Sequence, residues 1–295
     1  MEMSNILIEC IEEHDNELAL TYLSILQLCK ENSVFSGVLS DMTEYCVCKS
    51  GGKNTCSIDA FVKTMNNIIQ ANNNCIPTQE YLFVDCVHAK YETYRIFPGK
   101  YCNFQNTVSR LFNIFIEQGI RCKAINLALT LLSISDTIAS NLSLSRYEIG
   151  CPMNNSLTAP SDELHIRLRD SVILRPESVA QALNKNCCTI DDFEQFVLNN
   201  EQIGTLMLSE DDLSPIEKHP FLKLKDGNYL LLQPSALLSS AYHILLSFFQ
   251  NEMKEDWYPL YKDEVIHELL YTKALFNYNS MGMGETDNQP SLLYT

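Results

Sequence analysis

Apolar residues recur every three to four positions along the first half of this chain, the spacing that lines one side of an α-helix. The pattern is clearest after Ser57. There Ile58, Phe61, Val62, Met65, Ile68 and Ile69 share a face, Ser57 stands where an N-cap belongs, and Asn72, Asn73 and Asn74 end the run. The spacing returns from about Thr107 through Val108, Leu111, Phe112, Phe115 and Ile116, and Gly119 occupies the place of a C-terminal glycine cap. A further apolar helix is expected from about Arg121 to Ala139. Residues 4–30 carry two shorter patterns on either side of His14-Asp15-Asn16, which suggests a helical hairpin. Helices joined by short loops favour an antiparallel bundle or an irregular stack, and no repeat period marks a solenoid.

Residues 146–162 gather Gly150, Pro152, Asn154, Asn155, Pro160 and Ser161, a cluster of breakers that reads as a linker. Beyond it the texture changes. Leu164, Ile166 and Leu168 alternate with His165, Arg167 and Arg169, which predicts a half-buried strand. Pro176 opens a short helix through Ala182. Thr189-Ile190-Asp191-Asp192 resembles a capping box, with aspartate in place of the usual glutamate, ahead of Phe193, Phe196 and Val197. Leu222 and Leu224 alternate with Lys223 and Lys225, and Asp226-Gly227 turns the chain into Tyr229–Leu232, which predicts a hairpin. Pro234 marks the start of a strongly apolar helix to about Gln250. Pro259 opens another that carries Val265, Ile266, Leu269 and Leu270. The expected architecture is mainly α, α+β overall. A helical domain covers 1–145, the linker 146–162, a small α+β domain with one hairpin 163–277, and an irregular tail 278–295.

Charge narrows the function classes. The formal net charge is −16 and the sequence pI about 4.7. A field of that sign repels phosphate backbones and anionic headgroups, which leaves a local basic patch as the only route to nucleic acid. The N-terminal residues lack the basic and apolar regions of a signal peptide, so a cytoplasmic location is expected. The most apolar stretches are 124–135, too short to span a bilayer, and 229–249, broken by Gln233, Pro234 and His243; no membrane span is expected. In a reducing compartment the twelve cysteines read as small buried hydrophobes rather than a disulfide framework.

Two regions are rich in potential metal ligands: Cys46, Cys48 and Cys56, and Cys86 and His88 with Cys75 and Cys102. Neither has the two short pairs from which a structural zinc site is built, so chance proximity is the better account. His267-Glu268 lacks the second histidine of a zinc protease motif, because Tyr271 holds that place. Asp211 and Asp212 fit a polar loop or a helix start better than a metal-binding or acid-base dyad. The phosphate-cradling, dinucleotide and serine-hydrolase glycine motifs are all absent from the sequence. No cofactor is expected. His165, Arg167 and Arg169, joined by Lys223 and Lys225, form a candidate basic patch on a small sheet, weighed against the solvated face of ordinary strands.

One stretch carries a resemblance. His219-Pro220-Phe221-Leu222, then Lys225 to Leu232, Pro234 to Leu238, and Tyr261, Glu264 and Val265 are similar to a connector in large bacterial proteins with a restriction-nuclease-like (PD-(D/E)xK) domain. Gly284-Glu285-Thr286-Asp287 resembles the glycine-acid-x-acid approach to that domain's metal site. The resemblance implies Asp287 as a first metal-binding carboxylate with Glu285 beside it. The later E-x-K strand is absent from the sequence, so the chain as written is expected to lack nuclease activity. Two functions follow as expectations. One is a non-catalytic helical interaction or regulatory module that binds a protein partner through an apolar groove. The other is the sensing front end of a nuclease-type bacterial defence protein without its catalytic core.

Overall fold

The computed structural model describes residues 14–29, 32, 35–48, 52–71, 104–142, 156–200, 203, 215–234, 236–254 and 259. The expected helix after Pro259 beyond that residue, and the tail, lie outside them. Helices take up 70% of the described residues beside one three-stranded antiparallel sheet, so the fold is mainly α with an α+β element.

Helix α1 (Asn16–Leu28) lies where the second arm of the hairpin expected at 4–30 belongs; residues 4–13 lie outside the described residues. Asp15 caps it, its carboxylate accepting the Leu18 N–H at 3.1 Å. Nine of its residues are buried, from Ala19 to Leu28, a helix apolar nearly all round and therefore central. Helix α2 (Ser36–Cys48) packs beside it. In α3 (Ile58–Ala71) the Ser57 hydroxyl accepts the Ala60 N–H at 3.3 Å, the cap read from sequence. Helix α4 (Phe104–Glu117) ends in a Schellman motif. Gly119 N–H reaches Ile116 O at 3.0 Å and Ile120 N–H reaches Phe115 O at 2.8 Å. Gly119 takes φ +67°, a conformation that a Cβ disfavours. Helix α5 (Lys123–Leu142) follows directly.

The predicted strand over Leu164, Ile166 and Leu168 is instead helix α6 (Asp162–Val172). Ser161 caps it through the Leu164 N–H at 3.4 Å, and Asp162 and Glu163 favour its positive N-terminus. The core receives Leu168, Ser171 and Val172, with Leu164 half-buried, which is helical spacing, while Ile166 is left outside. A strand does begin, but later: β1 is Ile173–Leu174. Helix α7 (Pro176–Lys185) starts at the proline, as expected. Helix α8 (Ile190–Phe193) and a 3-10 turn (Glu194–Phe196) follow. Then come α9 (Pro215–Lys218), β2 (Phe221–Lys223), β3 (Tyr229–Leu231) and α10 (Ala236–Met253).

The hairpin forms where Asp226-Gly227 predicts it. Gly227 N–H closes on Leu224 O at 3.0 Å, Leu224 N–H on Asn228 O at 2.8 Å, and Gly227 sits at φ +87°. This is a three-residue loop whose last position needs glycine. The Asp226 carboxylate takes the Asn228 N–H at 2.9 Å and pins the loop. Strand β3 is central in the order β1-β3-β2, with Ile173 opposite Leu230 and Phe221 opposite Leu231. All three β3 residues are buried, so both faces of the strand are covered.

Elements on the two sides of 146–162 share one core. In α10 the residues Leu237, Ala241, Leu245 and Phe249 recur every four positions and are buried; the helix packs chiefly on α5 and also on α4. The Phe115 ring meets Phe249 edge-on at 5.8 Å and Phe248 at 5.7 Å. On the other side of the core the buried Ser24 hydroxyl of α1 donates to Leu231 O. Gln27 reaches Leu232 O at 3.3 Å and the Thr43 hydroxyl at 3.1 Å. Within 146–162, the described residues 156–161 are tied down by two asparagine side chains. Asn66 accepts the Leu157 N–H at 2.7 Å and donates to Leu157 O at 2.8 Å. Asn32, 1% exposed, treats Thr158 the same way at 2.8 and 3.0 Å. Each amide copies the donor–acceptor pair of a neighbouring strand and so pairs both backbone groups of the residue it faces.

Candidate functional site

The five residues read as a basic patch do not share a sheet. His165, Arg167 and Arg169 lie on α6, Lys223 on β2 and Lys225 in the hairpin loop. Strand alternation would put the first three on one side. A helix turns about 200° over two residues, so Arg167 points away from His165 and Arg169. His165 is half-buried with its ring edge-on to Tyr22 at 5.9 Å, and its Nε2 is buried with no hydrogen-bond partner among the described residues. Arg169 stands 3.9 Å from the Asp170 carboxylate. Lys223 donates to Glu194 Oε1 at 3.2 Å and lies over the Tyr229 ring, 5.6 Å from its centroid. The same Glu194 oxygen accepts the Tyr229 hydroxyl at 3.1 Å. Lys225 gives its backbone N–H to Glu17 Oε1 at 3.1 Å and brings its ammonium to 3.8 Å of that oxygen. Both lysines therefore already face carboxylates of this chain.

The strongest polar cluster is centred on Asp192. Its carboxylate pairs with the Lys123 ammonium and accepts both the Thr189 N–H at 2.9 Å and the Thr189 hydroxyl at 2.8 Å. The Lys123 bond first, and then the two Thr189 bonds, hold the Asp192 pKa down to about 2. The same pairing raises that of Lys123. The cluster fastens the first turn of α5 to the first turn of α8, completing the helix start expected at Thr189. Cys188 lies beside it, and burial followed by the Asp192 charge pushes its thiol up, away from the thiolate a nucleophile needs.

A second cluster joins α9 to α10. Ser240 Oγ donates to Glu217 O at 2.6 Å, and Ser239 Oγ to Glu217 Oε2 at 3.5 Å. His243 follows on the same helix, its Nε2 buried and without a hydrogen-bond partner among the described residues. Burial, and then the Lys218 charge, push its pKa down to about 4. His219 holds its Nδ1 2.6 Å from Gln195 O, so Nδ1 carries the proton. Burial lowers its pKa as well.

No disulfide joins the described cysteines, and no group of three His, Cys, Asp or Glu side chains suited to a metal ion occurs among the described residues. Cys75, Cys86, His88, Cys102, Asp211, Asp212, His267, Glu268, Glu285 and Asp287 lie outside them. No described helix is long and apolar enough to cross a membrane.

The surface holds an apolar feature that the sequence reading folded into the core. Of the apolar pattern of α4, Leu111 and Phe115 are buried together with Ile114, Phe112 packs against that core, and Ile116 is left outside. Phe112 is half-buried and Ile116, one turn later, is 73% exposed. Ile166 on α6 is 55% exposed. The apolar pattern of α4 is wider than the stripe that a helix of this diameter buries. Ile114, absent from the expected set, marked the true stripe with Leu111 and Phe115. No family model, curated protein or solved structure matches this chain.

Proposed function

We propose that the chain is a non-catalytic helical module that binds a protein partner through the apolar outer stripe of α4. The exposed Ile116 carries this reading. It stands beside half-buried Phe112, at a helix end fixed by the Gly119 cap, on a helix whose other face is locked against α10 by the Phe115 rings. An exposed apolar side chain on a helix fixed in this way is surface that a partner can bury. The intramolecular pairing of Lys223 and Lys225 argues against phosphate recognition by those residues.

The test is capture of partners by wild-type protein and by Ile116→Asp, with the exposed polar change Lys63→Asp as a control. Loss of a specific partner in Ile116→Asp at unchanged Tm, with Lys63→Asp unaffected, supports the reading. Equal capture by all three proteins overturns it.

A second reading, the front end of a nuclease-type defence protein, draws support from element order. The stretch that carries the connector resemblance, which holds the hairpin β2–β3 and the start of α10, follows a helical region as the resemblance implies. The intact mass of the endogenous product decides this reading. A mass well above 33.6 kDa with a downstream Asp/Glu-x-Lys strand supports it, and a mass at that value excludes it.

A further inference from the structure

We draw no further inference here: the strongest candidate, the apolar stripe of Phe112 and Ile116 along the outer face of α4, belongs to the surface already described, and nothing in the structure shows what covers it.

Discussion

Replacing Asn32 by Ala removes three hydrogen bonds at once: those to Leu26 O and Thr158 O, and the one accepted from Thr158 N–H. Thr158 loses the partners of its N–H and carbonyl that Asn32 supplies, so a cost of about 1–3 kcal/mol is expected, read as a lower urea midpoint at unchanged slope. Asn66→Ala is expected to cost a similar amount, because Leu157 is buried. Asn66→Asp should not rescue it, since a carboxylate oxygen then faces the Leu157 carbonyl. His243 sets a pH dependence of definite sign. Its folded pKa of about 4 lies below the unfolded value near 6.5, so the unfolded chain takes up the proton first. The stability tied to His243 is whole above about pH 6.5 and is lost as the pH falls toward about 4. Lys218 and Glu217 are the charged groups of α9, the short helix fastened to α10 here, and Lys218 adds to the penalty. Thermal melts at pH 7.5 and 5 should show a drop in Tm that is smaller in His243→Asn, and an equal drop in both proteins would remove His243 as its cause.

Two helix ends show how far local chemistry reaches. Helix α4 closes its Schellman motif with Gly119 at φ +67°. Helix α7 closes the same motif with Cys187 at φ +55°, Cys188 N–H reaching Leu183 O at 3.0 Å. A Cβ in this left-handed region costs about 1–2 kcal/mol. Gly119→Ala should therefore destabilise by about 1 kcal/mol through backbone strain rather than a clash, because apart from its chain neighbours no described atom lies within 4 Å of the added carbon. Cys187→Gly should stabilise by roughly 0.5 kcal/mol, less than the strain relieved, because glycine gains freedom in the unfolded chain. Denaturant midpoints check both signs. The elements that sequence predicted correctly are those whose start and stop signals lie within a few residues: Ser57, Gly119, Pro176, Thr189 with Asp192, and Asp226-Gly227. The failure at 164–168 is instructive. Five residues of alternation fit a strand, but Ser161, Asp162 and Glu163 are a helix start, and Leu164, Leu168, Ser171 and Val172 continue it at helical spacing. The helical signal lies in the longer window, beyond the five alternating residues. The candidate site was less legible. Whether Lys223 is free or paired depends on Glu194, 29 residues away, and whether Ile116 is core or surface depends on where α10 lies.

At the scale of the molecule, the question is whether elements before 146 and after 162 fold together. The contacts of helix α10 run between them: its buried stripe ends on Phe249, which meets Phe115 of α4, and the helix packs along α5. The Ser24 bond to Leu231 O makes a second crossing, 207 residues apart in sequence. Local pattern carries no trace of such pairings, which is why a composition break suggested a boundary while the contacts run across it. Phe249→Leu shrinks a fully buried ring without adding polarity and should cost about 1–2 kcal/mol. If one cooperative unit holds both parts, that loss appears in both. Native-state hydrogen exchange should show the most protected amides of α5 and of α10 weakened by the same amount, along with the slow amides of β3. Exchange in α5 unchanged while α10 and β3 weaken would mean that the regions open independently, and the two-domain division of the sequence would then be the better description.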